Sequence, residues 1–328
     1  MLADAGVLAS TAATSAAVVF LIRRNAERLP QSQSTSRSLH EGAVPQAGGL
    51  AILAGIAVAW IASPPPLPGT MAVWLAAFVA IAVISFVDDV RGVSPWVRLA
   101  FQIAAAAWVA SQIMDIGASP PTAMVFVLAI VWGANLFNFM DGNDGLAASM
   151  AIVGFACYAA AAALRSAPWL GYAVVGVAAL PFLAVNRPRA SMFMGDVGAV
   201  PLGFLAAALG AAGFVRDMWP AWFPVLVFLP FIADATVTLA LRLVRGEAIW
   251  RAHRSHFYQR LNALGADHRG TLAVYAAMML ACAALAIATL ALFPRHGATA
   301  LAVAAVVHAA AFAVIGYHSR NNKTLDNA

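Results

Sequence analysis

Charged side chains are scarce in this chain of 328 residues: Asp, Glu, Lys and Arg make up 10% of it, whereas hydrophobic residues make up 62%. A soluble globular domain carries roughly one-quarter charged residues, so a water-facing surface of ordinary composition is excluded. Cysteine is scarcer still. Cys157 and Cys282 stand inside apolar stretches with no partner spacing, which argues against a disulfide framework or a zinc site. The apolar runs also lack the period-two alternation that the strands of a lipid-embedded barrel show. That leaves an all-α, polytopic membrane bundle, because backbone crossing lipid must satisfy its own hydrogen bonds. A formal net charge of +5 would suit nucleic acid, but the placement of the basic residues suits a membrane better, and no nucleic-acid partner is expected.

Apolar segments of spanning length fall near 3–22, 47–63, 70–87, 97–114, 122–140, 146–164, 168–185, 199–215, 220–241, 271–293 and 298–317, which makes eleven expected helices. The first is read as an anchor and not a cleavable signal, since Arg23, Arg24 and Arg28 follow it and no basic residue precedes it. Alternating sides from there puts 16 of the 19 Lys and Arg residues on one side and only Arg165, Arg216 and Arg295 on the other. The positive-inside rule then gives an N-outside, C-inside topology. No internal repeat interrupts the pattern, and residues 1–328 read as one transmembrane domain.

The unusual polar groups fall on the side assigned to the cytoplasm. "SFVDDVRG" (85–92) ends the third segment and "NLFNFMDGNDG" (135–145) ends the fifth. "NRPRASMFMGDVG" (186–198) leads into the eighth, and "WRAHRSHFYQRL" (250–261) follows the ninth. One Asp beyond a helix end is ordinarily a solvated loop residue. Five of them (Asp88, Asp89, Asp141, Asp144 and Asp196) converging on one face call for pairing or a metal, because carboxylates at a membrane border are otherwise costly. Asp234, alone in the ninth segment, reads as a structural hydrogen-bonding residue. Residues three apart share a helix ridge, so Asn135, Asn138 and Asp141 are expected to present oxygens to one neighbourhood. Gly142 and Gly145 let the backbone leave the helix there. Carboxylate and amide oxygens without Cys suit a hard cation, Mg²⁺ or Mn²⁺. Arg251, His253, Arg254 and His256 suit a phosphate oxyanion, or, more plainly, anionic lipid headgroups. Together these groups describe a diphosphate site under a membrane surface.

"PQAGGLAI" (45–52), "FVDDVRG", "NLFNFMDGNDGLA", "FMGDVG" and "AHRSHFYQRL", in this order over about residues 40–265, resemble the polyprenyl-phosphate N-acetylhexosamine-1-phosphate transferases of bacterial membranes. The resemblance implies transfer of sugar-1-phosphate from a UDP-N-acetyl sugar to undecaprenyl phosphate, with release of UMP, at the cytoplasmic face of the inner membrane. It implies Mg²⁺ bound by Asp196, with Asn138 as a second ligand. It also places Asp141, Asp144, Asn186 and Phe193 around the nucleotide, and Asp88 and Asp89 near the lipid phosphate. The loop from His253 to His256, with Arg254, would meet the diphosphate or sugar. On this basis Asp88, Asp89, Asp141, Asp144, His253, Arg254 and His256 are the catalytic candidates. Asn135, Asn138, Asn186, Phe193 and Arg251 are the substrate-binding ones. Expected partners are the two substrates and membrane lipid, with a homodimer as an option.

Departures narrow the donor. The run of adjacent histidines in the peptidoglycan branch is absent from "AHRSHFYQRL", which argues against a muramoyl-pentapeptide donor and favours the branch that starts O-antigen or capsule chains. Ala199 stands where the family usually has Ser, and Asn143 replaces a common apolar residue. One rival is a Mg²⁺-dependent membrane prenyltransferase, to which "MGDVG" and "HRSH" are foreign. A CDP-alcohol phosphotransferase would want a D-G-x-x-A-R run, and Ser149 follows Ala148. An ion-coupled transporter would want its carboxylates at mid-depth.

Overall fold

A computed structural model describes residues 2–29, 31–32, 44–114, 119–248 and 253–321. Among them the protein is an all-α polytopic membrane protein, apart from a two-residue antiparallel pairing of Gln31–Ser32 with Val44–Pro45. Its helices are α1 (Leu2–Arg24), α2 (Gly49–Ala62), α3 (Met71–Arg91), α4 (Pro95–Met114), α5 (Pro120–Met140), α6 (Leu146–Leu164) and α7 (Leu170–Asn186). They continue as α8 (Asp196–Val215), α9 (Trp222–Val227), α10 (Leu229–Val244), α11 (Phe257–Leu261), α12 (Asp267–Leu292) and α13 (Gly297–Asn321).

Each of the eleven expected segments is helical, but they are not alike. Seven helical stretches among the described residues are long and apolar enough to cross a membrane. The helices α2 and α7, also apolar, have only 14 and 17 residues. At 1.5 Å per residue these reach about 21 and 26 Å, short of a hydrocarbon core of about 30 Å. The ninth segment is broken at Phe228 into α9 and α10. Pro230 lies in the first turn of α10, where its ring cannot continue a preceding helix but costs nothing at a helix start.

Local signals set several ends. Ser119 caps α5, its hydroxyl accepting from the Thr122 N–H, with Pro120 and Pro121 in the first turn. Gly92, at φ 69°, ends α3. The most buried spanning helix is α8, whose apolar face extends all round. It packs on α5, α3 and α2, and its small residues permit close approach, as is usual between membrane helices. Nowhere is this tighter than at Gly203, where an added Cβ would lie 2.0 Å from the Gly133 carbonyl oxygen of α5.

Long-range contacts distinguish the two ends of the bundle. At one end Arg216 donates to the Leu67 carbonyl at 2.6 Å and Trp60 to that of Gly171 at 3.0 Å. At the other, the chain at 45–48 runs beside Phe193, and α3, α5, α7 and the start of α8 converge. The acidic motifs therefore share one end of the helices.

Gly203→Val should force α5 and α8 apart, because the obstacle is backbone and not a movable side chain. We expect a lower melting temperature of the detergent-purified protein, equivalent to about 1–3 kcal/mol, read by a dye-free thermal unfolding scan.

Candidate active site

The N-terminus of α8 organises this end. Gly195 precedes it at φ 74°, and a Cβ there would lie 2.8 Å from Asp89 Oδ2 and 2.9 Å from the Gln46 carbonyl oxygen. Only glycine suits both the backbone and the space. Asp89, from the end of α3, accepts the Asp196 N–H at 3.0 Å and the Val197 N–H at 2.9 Å, one on each oxygen. These are amides that no helical carbonyl can satisfy, and a carboxylate also complements the positive end of the helix. Gln46 Nε2 donates to the same carboxylate at 3.3 Å. Asp89 is thus a tertiary cap that fixes where Asp196 stands.

Asp88, one residue earlier, is held differently. It accepts from the Val93 N–H at 2.6 Å and pairs with Arg98, whose same terminal nitrogen reaches Asp196 Oδ2 at 3.0 Å. Arg98 was counted in the sequence only as a topological charge. In space its guanidinium is the cation between a catalytic-candidate carboxylate, Asp88, and the expected metal ligand, Asp196, and its Nε has no hydrogen-bond partner among the described residues.

Across from α8, the end of α5 supplies Asn138 and Asp141. With Gln46, Phe139, Gly142, Gly195, Asp196, Ala199, Tyr258 and Gln259 they line a polar pocket of about 290 Å³. Burial pushes the Asp141 carboxyl well above the ordinary carboxylate range, and the charges of Asp196, Asp89 and Asp144 push it further. A pocket with this excess of negative charge suits a cation. Its donors are carboxylate and amide oxygens, without a set of three His, Cys, Asp or Glu side chains spaced as a metal cage among the described residues. That fits Mg²⁺, which binds through one or two carboxylates and leaves positions for water and phosphate.

Other candidates are placed elsewhere. Asn135 does not reach the pocket lining: its amide donates to Gln102 Oε1 at 2.6 Å and to the Val131 carbonyl at 2.8 Å, joining α5 to α4. A ridge of residues three apart winds around the helix, so Asn135 faces a neighbour where Asn138 and Asp141 face the opening. Asp144 and Asn186 are buried and turned inward. Asp144 Oδ2 accepts from the Ala190 N–H at 3.0 Å, and its Oδ1 lies 3.2 Å from His268 Nδ1. Asn186 accepts from the Gly145 N–H at 2.9 Å and donates to the Met192 carbonyl at 2.8 Å. These two therefore tie the α5–α6 turn to the α7–α8 connection. Phe193 is half-buried, and its backbone pairs with the 45–48 stretch through the Pro45 carbonyl and the Gly48 N–H, each at 2.9 Å. The departure at Asn143 has a local reason: its amide donates to the His268 carbonyl at 3.2 Å and its oxygen accepts from Asn262 at 3.0 Å.

On the loop before α11, His256 is buried and stacked on Phe139, with ring centroids 5.8 Å apart. His253 lies beside it at 4.9 Å, and Arg254 is exposed. Burial, with His256 and Arg242 nearby, pushes the His253 imidazole down to about 4. At neutral pH it is uncharged. Arg251 lies outside the described residues.

Gln46, Tyr258 and Gln259 lie inside the motifs but carry no signal of their own in the sequence, and neither does His268. Only proximity in space selects them.

Residues 71–213 match the sequence model described as glycosyl transferase family 4. A probable undecaprenyl-phosphate N-acetylglucosaminyl 1-phosphate transferase of Bacillus subtilis is 29% identical over 259 residues, covering 74% of this chain and 72% of its own. The chain is thus similar to proteins named as polyprenyl-phosphate N-acetylglucosaminyl 1-phosphate transferases. A decaprenyl-phosphate N-acetylglucosaminephosphotransferase of Mycobacterium tuberculosis is 29% identical over 282 residues, 71% of this chain and 69% of its own. An undecaprenyl-phosphate alpha-N-acetylglucosaminyl 1-phosphate transferase of Yersinia pestis is 25% identical over 283 residues, 78% and 76% of the two chains. The family match spans α3 to α8, and so includes the Asp88–Arg98–Asp196 bridge but neither Gln46 nor the loop before α11.

The contacts separate the adjacent aspartates. Asp89→Ala removes a helix cap, so the melting point should fall by the equivalent of about 1 kcal/mol or more. Asp88→Ala frees Arg98 and leaves α8 capped, so activity should fall with a smaller change in melting. Equal melting losses in the two variants would contradict this division.

Proposed function

We propose that this membrane enzyme transfers N-acetylhexosamine-1-phosphate from a UDP-sugar to undecaprenyl phosphate and so initiates a lipid-linked surface glycan, such as an O-antigen or capsule chain. The observation that carries this reading is the gathering of Asp88, Asp89, Arg98, Asp196, Asn138 and Asp141 at one end of an apolar bundle. There a lipid-borne phosphate can meet a water-borne nucleotide. The names of the relatives make UDP-N-acetylglucosamine the first donor to test. With the positive-inside count, this end faces the cytoplasm of a bacterial inner membrane.

An oxygen of the acceptor phosphate attacks the β-phosphorus of the UDP-sugar. The bond from that phosphorus to the oxygen bridging it to the α-phosphorus breaks, and UMP leaves with that oxygen. Like charges oppose the approach, so positioning and neutralisation dominate. Asp196 and Asn138 would hold Mg²⁺, which when bound supplies a Lewis acid for the phosphoryl oxygens. Arg98, held between Asp88 and Asp196, supplies positive charge for the acceptor phosphate. Asp88, its charge answered by Arg98, takes the remaining proton of that phosphate where one is present. A phosphate monoester has a second pKa of about 6, so this proton transfer assists the reaction without limiting it. Asp141 and Gln46 line the donor side, and Arg254 lies over the developing charge.

The purified protein should release UMP from UDP-N-acetylglucosamine only when undecaprenyl phosphate and Mg²⁺ are both present, and Asp196→Asn should abolish release while leaving melting unchanged. UMP release without the lipid, or full activity in that variant, contradicts the reading. Single cysteines at the exposed positions Arg91 and Arg187 should both label from the cytoplasmic side in cells.

A further inference from the structure

Asp234 lies in α10, outside the stretch matched by the family and outside the pocket lining, and it is completely buried. Its two oxygens are surrounded by donors. Oδ1 accepts from the Phe257 N–H at 2.9 Å and the Thr238 hydroxyl at 3.1 Å, and lies 3.3 Å from His256 Nδ1. Oδ2 accepts from the Tyr258 N–H at 3.0 Å and from the Tyr275 hydroxyl. An ionised carboxylate is the acidic-group form that accepts at every lone pair and donates nothing. Burying it is tolerable because its neighbours replace water. Two of the donors are the first amides of α11, which have no helical acceptor, and a third comes from α12. One carboxylate on α10 therefore holds the loop and the first turn of α11 to the bundle.

What hangs on that anchor faces the pocket. The His256 ring stacks between Phe139, at 5.8 Å, and Tyr258, at 5.9 Å. Tyr258 donates its hydroxyl to the Phe139 carbonyl at 3.1 Å, so close to Gly142 that an added Cβ there would lie 2.0 Å from the phenol oxygen. Tyr258 and Gln259 line the same pocket as Asp196. Other ties of this segment are Arg260 Nε to the Ser255 carbonyl at 2.8 Å, Arg242 to Ser255 Oγ at 3.4 Å, the His256 N–H to Gln259 Oε1 at 3.2 Å, and the Phe257 ring stacked on Phe312 of α13 at 4.3 Å. None of these four holds the His256 or Tyr258 side chain. We infer that Asp234 is a positioning residue for the proposed transfer: it sets His256 and the Tyr258–Gln259 wall against the pocket without touching either substrate. The inference rests on the transfer reading for its kinetic consequence, but its structural consequence stands apart from it.

Asp234→Asn keeps the shape and replaces one accepting oxygen with an amide that faces donors. In detergent-purified, folded protein well below its melting point, kcat should fall about 100-fold, the scale of an ångström-sized misplacement. KM for UDP-N-acetylglucosamine should change by less than about threefold, since a displaced loop loses transition-state contacts more than ground-state ones. Tyr275→Phe removes a single donor and should give a smaller kcat loss, again at constant KM. It carries the kinetic test alone if Asp234→Asn does not fold. Trypsin supplies the arm independent of activity. Arg260, half-buried over the Phe257 ring at 4.9 Å, should resist cleavage in the native protein and be cut faster in either variant.

Native kcat in both variants overturns the proposal, as does a loss of activity that merely tracks the unfolded fraction. Native protection at Arg260 in both also overturns it. Should the native protein release no UMP at all, the transfer reading fails. Faster cleavage at Arg260 would then still uphold the anchoring role, and unchanged cleavage would refute it.

Discussion

A helix that begins inside a protein at a membrane face must find acceptors for its first amides, and here Asp89 supplies them for α8. The rest of the site depends on that contact. It places Asp196 at the pocket, requires glycine at 195, and brings in Gln46 from the short stretch before α2. It also couples α3 to the most buried helix of the bundle, so pocket geometry and bundle packing are one problem.

Negative charge is distributed so that most of it is already answered. Asp89 is satisfied by amides, Asp88 and Asp196 by Arg98, and Asp144 by a backbone amide and His268. Asp141, pushed upward by burial and by three neighbouring carboxylates, is the strained member. It lines the opening with Asn138 and Asp196, where an arriving cation gains most. Two kinds of carboxylate thus coexist within one cluster. One kind builds the walls, and the other lines the opening.

The walls come from both halves of the chain. The family match covers α3 to α8, yet Tyr258 and Gln259 reach the pocket from beyond it, at the far side of a broken helix. A break at Phe228 divides the ninth segment, and α10 then carries Asp234 to where the loop must be held. Flexible polar loops are poor platforms for catalysis unless rigid elements fix them. A buried carboxylate with four donors and an imidazole around it is one physical answer to that need.

The sequence alone determined that this is an all-α membrane protein, because apolar run length and charge scarcity leave no alternative for backbone in lipid. It also picked out the stretches whose polar groups gather at one end of the bundle, since aspartates are costly at a membrane border. What it could not resolve was the task of each residue. Asn135 obeys the same spacing as Asn138 and Asp141, yet winding along α5 turns it toward Gln102. Asp88 and Asp89 are neighbours in sequence, but successive helix residues differ by about 100° in direction, so one meets Arg98 and the other caps α8. Segment length likewise did not reveal the short α2 and α7 or the break at Phe228, which depend on what packs beside them. Composition and spacing are one-dimensional and set which groups are present. Direction, burial and partners are set only when helices pack, and these decided which carboxylates hold the structure and which face the pocket.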